Sequence, residues 1–332
     1  MARFFKFHSL AEIRAEVQRL GLSLAFDENL APLFTPVPVG PWTVRNALCV
    51  QPMEGCDGTL DGQPDELTFR RYRRFGAGGA GLIWGEAAAV VPEARANPRQ
   101  LWLADHTASG IERMLRQCRE AHREVFGDES GLVVGLQLTH SGRYSHAQAL
   151  VACECPLLDA RLKGPARLLS DEELDRLVDA YVQAAKLASR IGFQFVDIKQ
   201  CHRYLLNELL GARTRPGKYG GSLENRTRLA RNIFEAIRAE VPGLLLATRL
   251  NVYDGIPYGA TWQAPLATCW GTALDNPDQP DLSEPLAWIR TMRTLGVGLL
   301  NVSLGNPYRQ LQRRATRCWR LEDRRRYARR ST

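Results

Sequence analysis

Six short runs of mostly apolar residues recur along the first three hundred positions. Within each run the apolar residues are nearly continuous rather than alternating with polar ones, which is typical of strands buried on both faces of a parallel sheet. The six predicted strands cover residues 47–51, 81–84, 132–138, 193–199, 244–250 and 297–302.

The stretches between these runs have the periodicity of amphipathic helices. Ser170 is followed three residues later by Glu173, a capping box, and apolar residues then recur at helical spacing over 174–188. Ser222 and Ser283 precede two further segments with the same period. Repeated strand–helix units predict a parallel α/β fold.

The spacing of the units favours a barrel over an open doubly wound sheet. Long polar loops follow the strand ends, as in catalytic (β/α)8 TIM barrels, where these loops form the active site. Neither a Gly-x-Gly-x-x-Gly motif after the first strand nor a Gly-x-x-x-x-Gly-Lys-Ser/Thr motif occurs. The sequence therefore gives no support for a dinucleotide fingerprint or a P-loop.

Composition and charge divide the chain into a body and a tail. The 332 residues are 45% hydrophobic and 24% charged, an ordinary globular balance, with a net charge of +8. Residues 309–332 hold ten arginines against Glu322 and Asp323, which accounts for the whole excess. We therefore predict a neutral domain over 1–308 and a disordered Arg-rich tail over 309–332, and we do not expect a nucleic-acid partner despite the tail.

The cysteines and the hydropathy indicate a cytoplasmic protein. The eight cysteines are scattered without Cys-x-x-Cys spacing, so we expect reduced thiols, no metal site and no iron–sulfur cluster. We find no targeting signal and no run of 18 apolar residues, so no membrane span is expected.

Polar side chains at the strand ends are candidates for chemistry. Gln137 lies near the end of the third run, Lys199, His202 and Tyr204 lie at and after the end of the fourth, and Arg249 lies near the end of the fifth. In a barrel these residues converge on one mouth. They are hydrogen-bond donors rather than a metal-ligand set, which suits polarising a carbonyl while a cofactor performs the harder chemistry.

Five sequence blocks, in order, carry a family resemblance. Single blocks are weak evidence, but together they make the chain resemble the Old Yellow Enzyme family of flavin-dependent ene-reductases over roughly 25–308, nearer its bacterial and dienoyl-CoA reductase-like branches. The blocks are Asn46 with Gln51-Pro52-Met53; Gly78-Gly79-Ala80-Gly81-Leu82-Ile83 with Glu86-Ala87; Gln137-Leu138-Thr139-His140-Ser141-Gly142-Arg143; His202 with Tyr204-Leu205-Leu206; and Tyr219-Gly220-Gly221-Ser222-Leu223-Glu224-Asn225-Arg226.

The resemblance implies an FMN site at the barrel mouth. Pro52, Met53 and Ala87 would line the flavin ring, Gln137 would hydrogen-bond its pyrimidine edge, and Arg249 would stabilise the anionic reduced form. NADH or NADPH would be the reductant. Alternatively, Gln137 and Arg249 satisfy each other inside the barrel.

The resemblance also implies a substrate site. Lys199 and His202 would donate to the oxygen of an activated alkene (an enone, dienoyl or nitro compound), and Tyr204 would supply the proton. The family usually has His where Lys199 stands. Lys199 could instead pair with a carboxylate such as Glu208, and Tyr204 could be a core residue with a satisfied hydroxyl.

Three departures qualify the function. Arg203 occupies a position that is usually Gly, and Glu54 follows Pro-Met where relatives carry Thr, Cys or His. The resemblance ends near Tyr308, before the two strand–helix units whose loops bind the FMN phosphate. We therefore expect about six units, an incomplete barrel and impaired activity.

Two other functions remain open at this point. The chain could be a non-catalytic barrel fragment, or less favourably a lyase that forms a Schiff base through Lys199. A homo-oligomer is also possible.

Overall fold

Ten strands occur in the part of the chain that the computed structural model describes, which is residues 6–160, 162, 164–254, 269–274 and 279–305. They are β1 (Val37–Val39), β2 (Trp42–Val44), β3 (Cys49–Val50), β4 (Leu82–Ala89), β5 (Val133–Thr139), β6 (Leu150–Val151), β7 (Arg167–Leu168), β8 (Phe195–Ile198), β9 (Leu245–Tyr253) and β10 (Val297–Leu304).

Eight α-helices lie in the same residues, with short 3-10 turns at Ala31–Phe34, Pro92–Ala94 and Gly142–Tyr144. The helices are α1 (Leu10–Arg19), α2 (Glu66–Ala77), α3 (Asp105–Phe126), α4 (Pro156–Asp159), α5 (Asp171–Ile191), α6 (Leu205–Leu210), α7 (Leu223–Glu240) and α8 (Ser283–Thr294).

The central sheet is parallel and its strands follow one another in chain order. The order is β3, β4, β5, β8, β9, β10, with every neighbouring pair parallel. A doubly wound sheet reverses its strand order at a switch point, whereas a barrel does not. The prediction of an incomplete TIM-type barrel is therefore confirmed for the fold.

The barrel has an open side in the described residues. There β3 and β10 are the two edge strands, and no backbone ladder joins them. Their connection is a side-chain hydrogen bond, in which Asn301 Nδ2 donates to Gln51 Oε1 at 2.7 Å. On the outer face of β10, Leu300, Val302 and Leu304 are exposed. Such an apolar edge strand is a liability for association.

The local signals in the sequence correspond to real helix starts. Ser170 Oγ accepts a hydrogen bond from the Glu173 amide at 3.2 Å, and the Glu173 carboxylate accepts one from the Ser170 amide at 2.8 Å. Ser222 Oγ likewise accepts from the Asn225 amide at 3.2 Å and precedes α7. These bonds satisfy amide groups that a helix start leaves without partners.

A hairpin closes the amino end of the barrel. Strands β1 and β2 pair antiparallel, and Val39 and Val44 pack inside the barrel against Trp84 and Phe195, whose rings meet edge to face with centroids 5.0 Å apart. The sequence analysis did not predict this hairpin, because its strands have three residues each, too few for a periodic signal. A second, larger apolar core fills the space between the strands and the outer helices.

Three further expectations concern the tail, the cysteines and the absence of a membrane span. The Arg-rich segment 309–332 and the proposed boundary at 308 lie outside the described residues. None of the seven cysteines that are described forms a disulfide. Within the described ranges, no helix combines the length and the apolarity needed to cross a membrane.

The packing inside the barrel predicts a large effect from one methyl group. A Cβ added to Gly135 in β5 would lie 2.3 Å from the Phe195 ring, whereas one added to Gly243 meets no atom within 4 Å. We expect Gly135→Ala to lower the free energy of unfolding by about 1–3 kcal/mol through overpacking. Gly243→Ala is the control and should be neutral or slightly stabilising. Urea denaturation measures both, and equal stabilities would contradict this account of the core.

Candidate active site

The carboxyl half of the barrel interior is polar because strand residues alternate in direction. Phe195 and Ala247 belong to the apolar interior core. Two residues further along their strands, Asp197 and Arg249 point the same way, since side chains repeat with a period of two. The register places Gln137 opposite Asp197. Towards the carboxyl ends of the strands, the apolar layer of the barrel interior is therefore followed by a layer of charged side chains.

Asp197 is the centre of this polar layer. It is fully buried and accepts three hydrogen bonds, from Trp84 Nε1 at 2.7 Å, from Gln137 Nε2 at 2.5 Å and from the Arg249 amide at 2.7 Å. Burial raises the pKa of Asp197, and the three donors oppose that shift. The alternative in which Gln137 and Arg249 satisfy each other is wrong, because the Gln137 side chain donates to Asp197.

The Arg249 guanidinium faces the mouth of the barrel and has a hydrogen-bond donor that is not used. Its Nη1 donates to the Pro52 carbonyl at 3.3 Å, and its buried Nε has no hydrogen-bond partner. No carboxylate forms an ion pair with Arg249 within the described ranges. A buried donor without an acceptor is costly, so this nitrogen suits a ligand that carries an acceptor or a negative charge.

The other residues predicted to line the flavin surround this point. Pro52 is buried, while the Met53 side chain is 61% exposed directly after it. Ala87 is fully buried in β4, and its register partner is Gln137. The structure thus brings an exposed apolar side chain, a small residue and an available cation to one end of the barrel. A flat apolar ring with a polar edge, such as a flavin, fits this combination of apolar surface and positive charge.

Lys199 and Tyr204 meet at a third side chain, Glu54. Lys199 Nζ lies 2.5 Å from Glu54 Oε1 and 3.9 Å from the centre of the Tyr204 ring. The Tyr204 hydroxyl donates to Glu54 Oε2 at 3.1 Å. Lys199 thus pairs with a carboxylate, as the alternative held, but the partner is Glu54 rather than Glu208, which pairs with Arg143. An ammonium bonded to a carboxylate offers no free lone pair, which argues against Schiff-base chemistry at Lys199.

His202 completes the predicted substrate cluster as an uncharged donor. Its ring lies edge-on to that of Tyr204, with centroids 6.3 Å apart. Burial, followed by the charges of Lys199 and Arg249, lowers the pKa of His202 to about 3. His202 is therefore neutral at physiological pH and can donate a hydrogen bond without acting as an acid.

Arg203 adopts the backbone conformation that made glycine the expected residue. His202 and Arg203 have φ of 65° and 59°, in the left-handed region, which costs about 1–3 kcal/mol for each side-chain-bearing residue. The Arg203 side chain is buried and donates to Asp254 Oδ2 at 2.9 Å. Asp254 also accepts from Asn251 Nδ2 and from the Trp270 amide, at 2.9 and 3.0 Å. This ion pair joins the strained turn to the end of β9.

A buried ion pair fixes the helix that follows Tyr204. Arg143 Nε donates to Glu208 Oε1 at 2.6 Å, and Glu208 Oε2 accepts from the Ala152 amide at 2.6 Å. Both charged side chains are fully buried. Because Glu208 lies in α6, which begins at Leu205, this pair holds the amino end of α6 and with it Tyr204.

The sequence analysis quoted Glu86 within a family block but gave no role to this second carboxylate beside the site. Glu86 is buried in β4, receives Arg71 Nη1 at 3.0 Å and accepts from the Gly55 amide at 3.1 Å. Arg71 also donates to Asp57 at 2.6 Å. Glu86 therefore holds the segment that follows Pro52 and Met53. An acidic residue inside an otherwise apolar run was the signal that could have revealed it.

The fold and this site together define a class: a TIM-type barrel oxidoreductase that works with a flavin. Residues 32–273 match the NADH:flavin oxidoreductase / NADH oxidase family. The chain belongs to that family, and it is an FMN-dependent oxidoreductase for which NADPH or NADH is the reductant.

Individual relatives agree with this assignment. An NADPH dehydrogenase of Geobacillus sp. (strain WCH70) is 26% identical over 278 residues, 82% of this chain and 73% of the relative. Among solved structures, an Old Yellow Enzyme homologue from Zymomonas mobilis superposes with a TM-score of 0.64 at 24% identity, covering 82% and 73% of the two chains. A 2-naphthoyl-CoA reductase gives a TM-score of 0.68 at 20% identity, but this chain spans only 41% of it. These structures support the fold.

The buried Glu86 predicts a pH-dependent stability. Burial raises its pKa from 4.5 to about 7, so the folded state binds a proton that the unfolded state has lost in this range. The contribution of Glu86 to stability should therefore fall as the pH rises from about 4.5 to about 7 and change no further above it, by at most about 1.4 kcal/mol per pH unit. Because His202 contributes with the opposite sign below about pH 6.5, the effect of Glu86 is the difference between the parent and a variant without this carboxyl group.

Glu86→Gln should remove this slope, and Glu235→Gln, an exposed change in α7, should keep it. Chemical denaturation at several pH values measures the effect. A slope that is the same in Glu86→Gln and the parent would exclude Glu86 as its source.

Proposed function

We propose that this chain reduces alkenes activated by a carbonyl or nitro group, with NAD(P)H as the reductant and FMN as the cofactor. The observation that carries the proposal is the convergence of Lys199, His202 and Tyr204 beside the available cation Arg249 at the carboxyl end of the barrel. These residues supply two donors for a substrate oxygen, one proton donor and one site for negative charge.

The residues at the barrel mouth would hold the flavin ring. Pro52, Met53 and Ala87 offer contact surface, Gln137 offers its amide, and Arg249 offers the unpartnered Nε. When bound, FMN supplies the hydride that adds to the alkene after its own reduction by NAD(P)H. A cation at Arg249 suits this role, because it stabilises a group that gains negative charge on reduction.

The substrate-site residues bind the activating oxygen and supply the proton. Lys199 and neutral His202 donate hydrogen bonds to the activating oxygen, which becomes more negative as the carbon–carbon double bond is reduced. Tyr204 gives its hydroxyl proton to the α-carbon, the alkene carbon that carries the activating group. Lys199 lies over the Tyr204 ring at 3.9 Å, so its charge offsets the repulsion between Glu54 and the phenolate that this proton transfer leaves.

Two further assignments extend the proposal. The matched 2-naphthoyl-CoA reductase is named for a conjugated acyl-CoA, which supports conjugated thioesters as one substrate class beside enones and nitroalkenes. The described cysteines form no disulfide, which is typical of a reducing compartment, and we propose the cytoplasm.

Arg249 should determine flavin affinity or reduction. Arg249→Ala removes a half-buried cation whose Nε lacks a partner, so we expect at least about tenfold weaker FMN binding or slower reduction by NADPH, with the fold retained. Arg290→Ala, an exposed change in α8, is the matched control. FMN titration followed by flavin absorbance and NADPH stopped-flow measures both steps. FMN binding and reduction equal to those of the parent would show that Arg249 does not face the flavin.

Tyr204 should act in the oxidative half-reaction alone. Tyr204→Phe removes the proton donor and little volume, so we expect the reoxidation of reduced flavin by an enone to slow by about 10²–10⁴-fold. Reduction by NADPH should be unchanged. Tyr219→Phe, which removes a hydroxyl bonded to Asp175 outside the site, serves as the control. Stopped-flow reoxidation measures the effect, and a rate like that of the parent would remove Tyr204 from the mechanism.

A further inference from the structure

Glu54 connects the two groups that would act on the substrate. One of its carboxylate oxygens lies 2.5 Å from Lys199 Nζ, and the other accepts from the Tyr204 hydroxyl at 3.1 Å. The Lys199 side chain is 2% exposed and that of Glu54 is 14% exposed. The contact is thus largely shielded from solvent on the lysine side, where a charge–charge interaction is screened least.

Among the carboxylates around Lys199, Glu54 forms the ion pair, while Asp197 interacts with the charge of Lys199 from beyond ion-pair distance. Arg249 has no carboxylate partner in the described part of the site, and His202 is neutral. The nearby Glu86 is engaged by Arg71. Arg71 is shared with Asp57. Glu54 is therefore the carboxylate that compensates the ammonium of the proposed oxygen-binding group.

We propose that Glu54 is a specificity-determining and positioning residue that makes the oxygen-binding site accept neutral carbonyl or nitro oxygens and reject carboxylates. This inference rests on the proposed function for the identity of the oxygen-binding group. A neutral oxygen can take a hydrogen bond from Lys199 while the pair stays intact. An anionic oxygen that approaches Lys199 must also approach the negative charge of Glu54, and like charges at such distances repel.

The same carboxylate orders the site before substrate arrives. It fixes the Tyr204 hydroxyl through one oxygen and the Lys199 ammonium through the other, so both donors have defined positions. A substrate therefore meets donors that are already ordered, and little side-chain entropy is lost on binding. Loss of Glu54 should therefore change charge selectivity first, which a purely structural role would not do.

Benzoate and benzamide test the charge selectivity, because they have nearly the same shape and differ in charge. Their dissociation constants are measured by calorimetry on the full chain with FMN added, because Arg249 would otherwise attract benzoate, for the parent, Glu54→Gln, Glu54→Asp, Lys199→Met and the double variant Glu54→Gln/Lys199→Met. Circular dichroism verifies that each variant is folded.

We expect the parent to prefer benzamide. Glu54→Gln should bind benzoate about tenfold or more tightly than the parent, because it leaves Lys199 uncompensated, while its benzamide affinity changes by less than about threefold. The double variant should lose that gain. Glu54→Asp keeps the charge and should keep the preference for benzamide. Lys199→Met should lower the benzoate affinity below that of the parent, which tests the role of the Glu54 charge even if Glu54→Gln does not fold.

Several results would overturn the proposal. These are a benzoate-to-benzamide ratio that Glu54→Gln and Lys199→Met leave unchanged, parallel changes in both ligands, or no binding of benzamide to the folded parent. The outcome is separate from that of the proposed reaction, because binding is measured without turnover. Charge selectivity that shifts as expected in a protein that reduces no alkene would refute the reaction and leave the role of Glu54 standing.

Discussion

The buried carboxylate of Asp197 is the interaction on which the rest of the site depends. It accepts hydrogen bonds from side chains of β4 and β5 and from the backbone of β9, while itself belonging to β8. Four adjacent strands are therefore tied together at one level of the barrel interior. Below this level the interior is apolar, and above it the alternation of strand residues presents Lys199 and Arg249. A buried carboxylate is tolerated only because all of these donors are present.

The sequence predicted what depends on local pattern and missed what depends on contacts between distant residues. Continuous apolar runs located the six sheet strands, and the Ser170 capping box located the start of α5, because both signals lie within a few neighbouring residues. The boundaries were less accurate: β4 continues to Ala89, past the buried Glu86 that interrupts the apolar run. Glu54 and Lys199 are 145 positions apart, and no spacing rule predicts that they meet.

The departures from the family pattern are accompanied by acids that match them. Arg203 replaces a small residue in a left-handed turn, and Asp254 receives its guanidinium at 2.9 Å. Lys199 stands where the family resemblance implies histidine, and Glu54 receives its ammonium at 2.5 Å. Each added positive charge is thus paired within the barrel rather than left buried alone, which would be strongly destabilising. The two acids lie on different strand ends, so the pairs compensate two separate substitutions.

In the described residues, the open side of the barrel lies nearer to one half of the site than to the other. In the described residues the edge strands are β3 and β10, and Gln51, at the end of β3, directly precedes Pro52 and Met53. Arg249 lies one strand in from the other edge, opposite Asn301 in register. Lys199 and Tyr204 follow β8, which has a paired neighbour on each side. In the described residues, the open side therefore borders the residues proposed for the flavin.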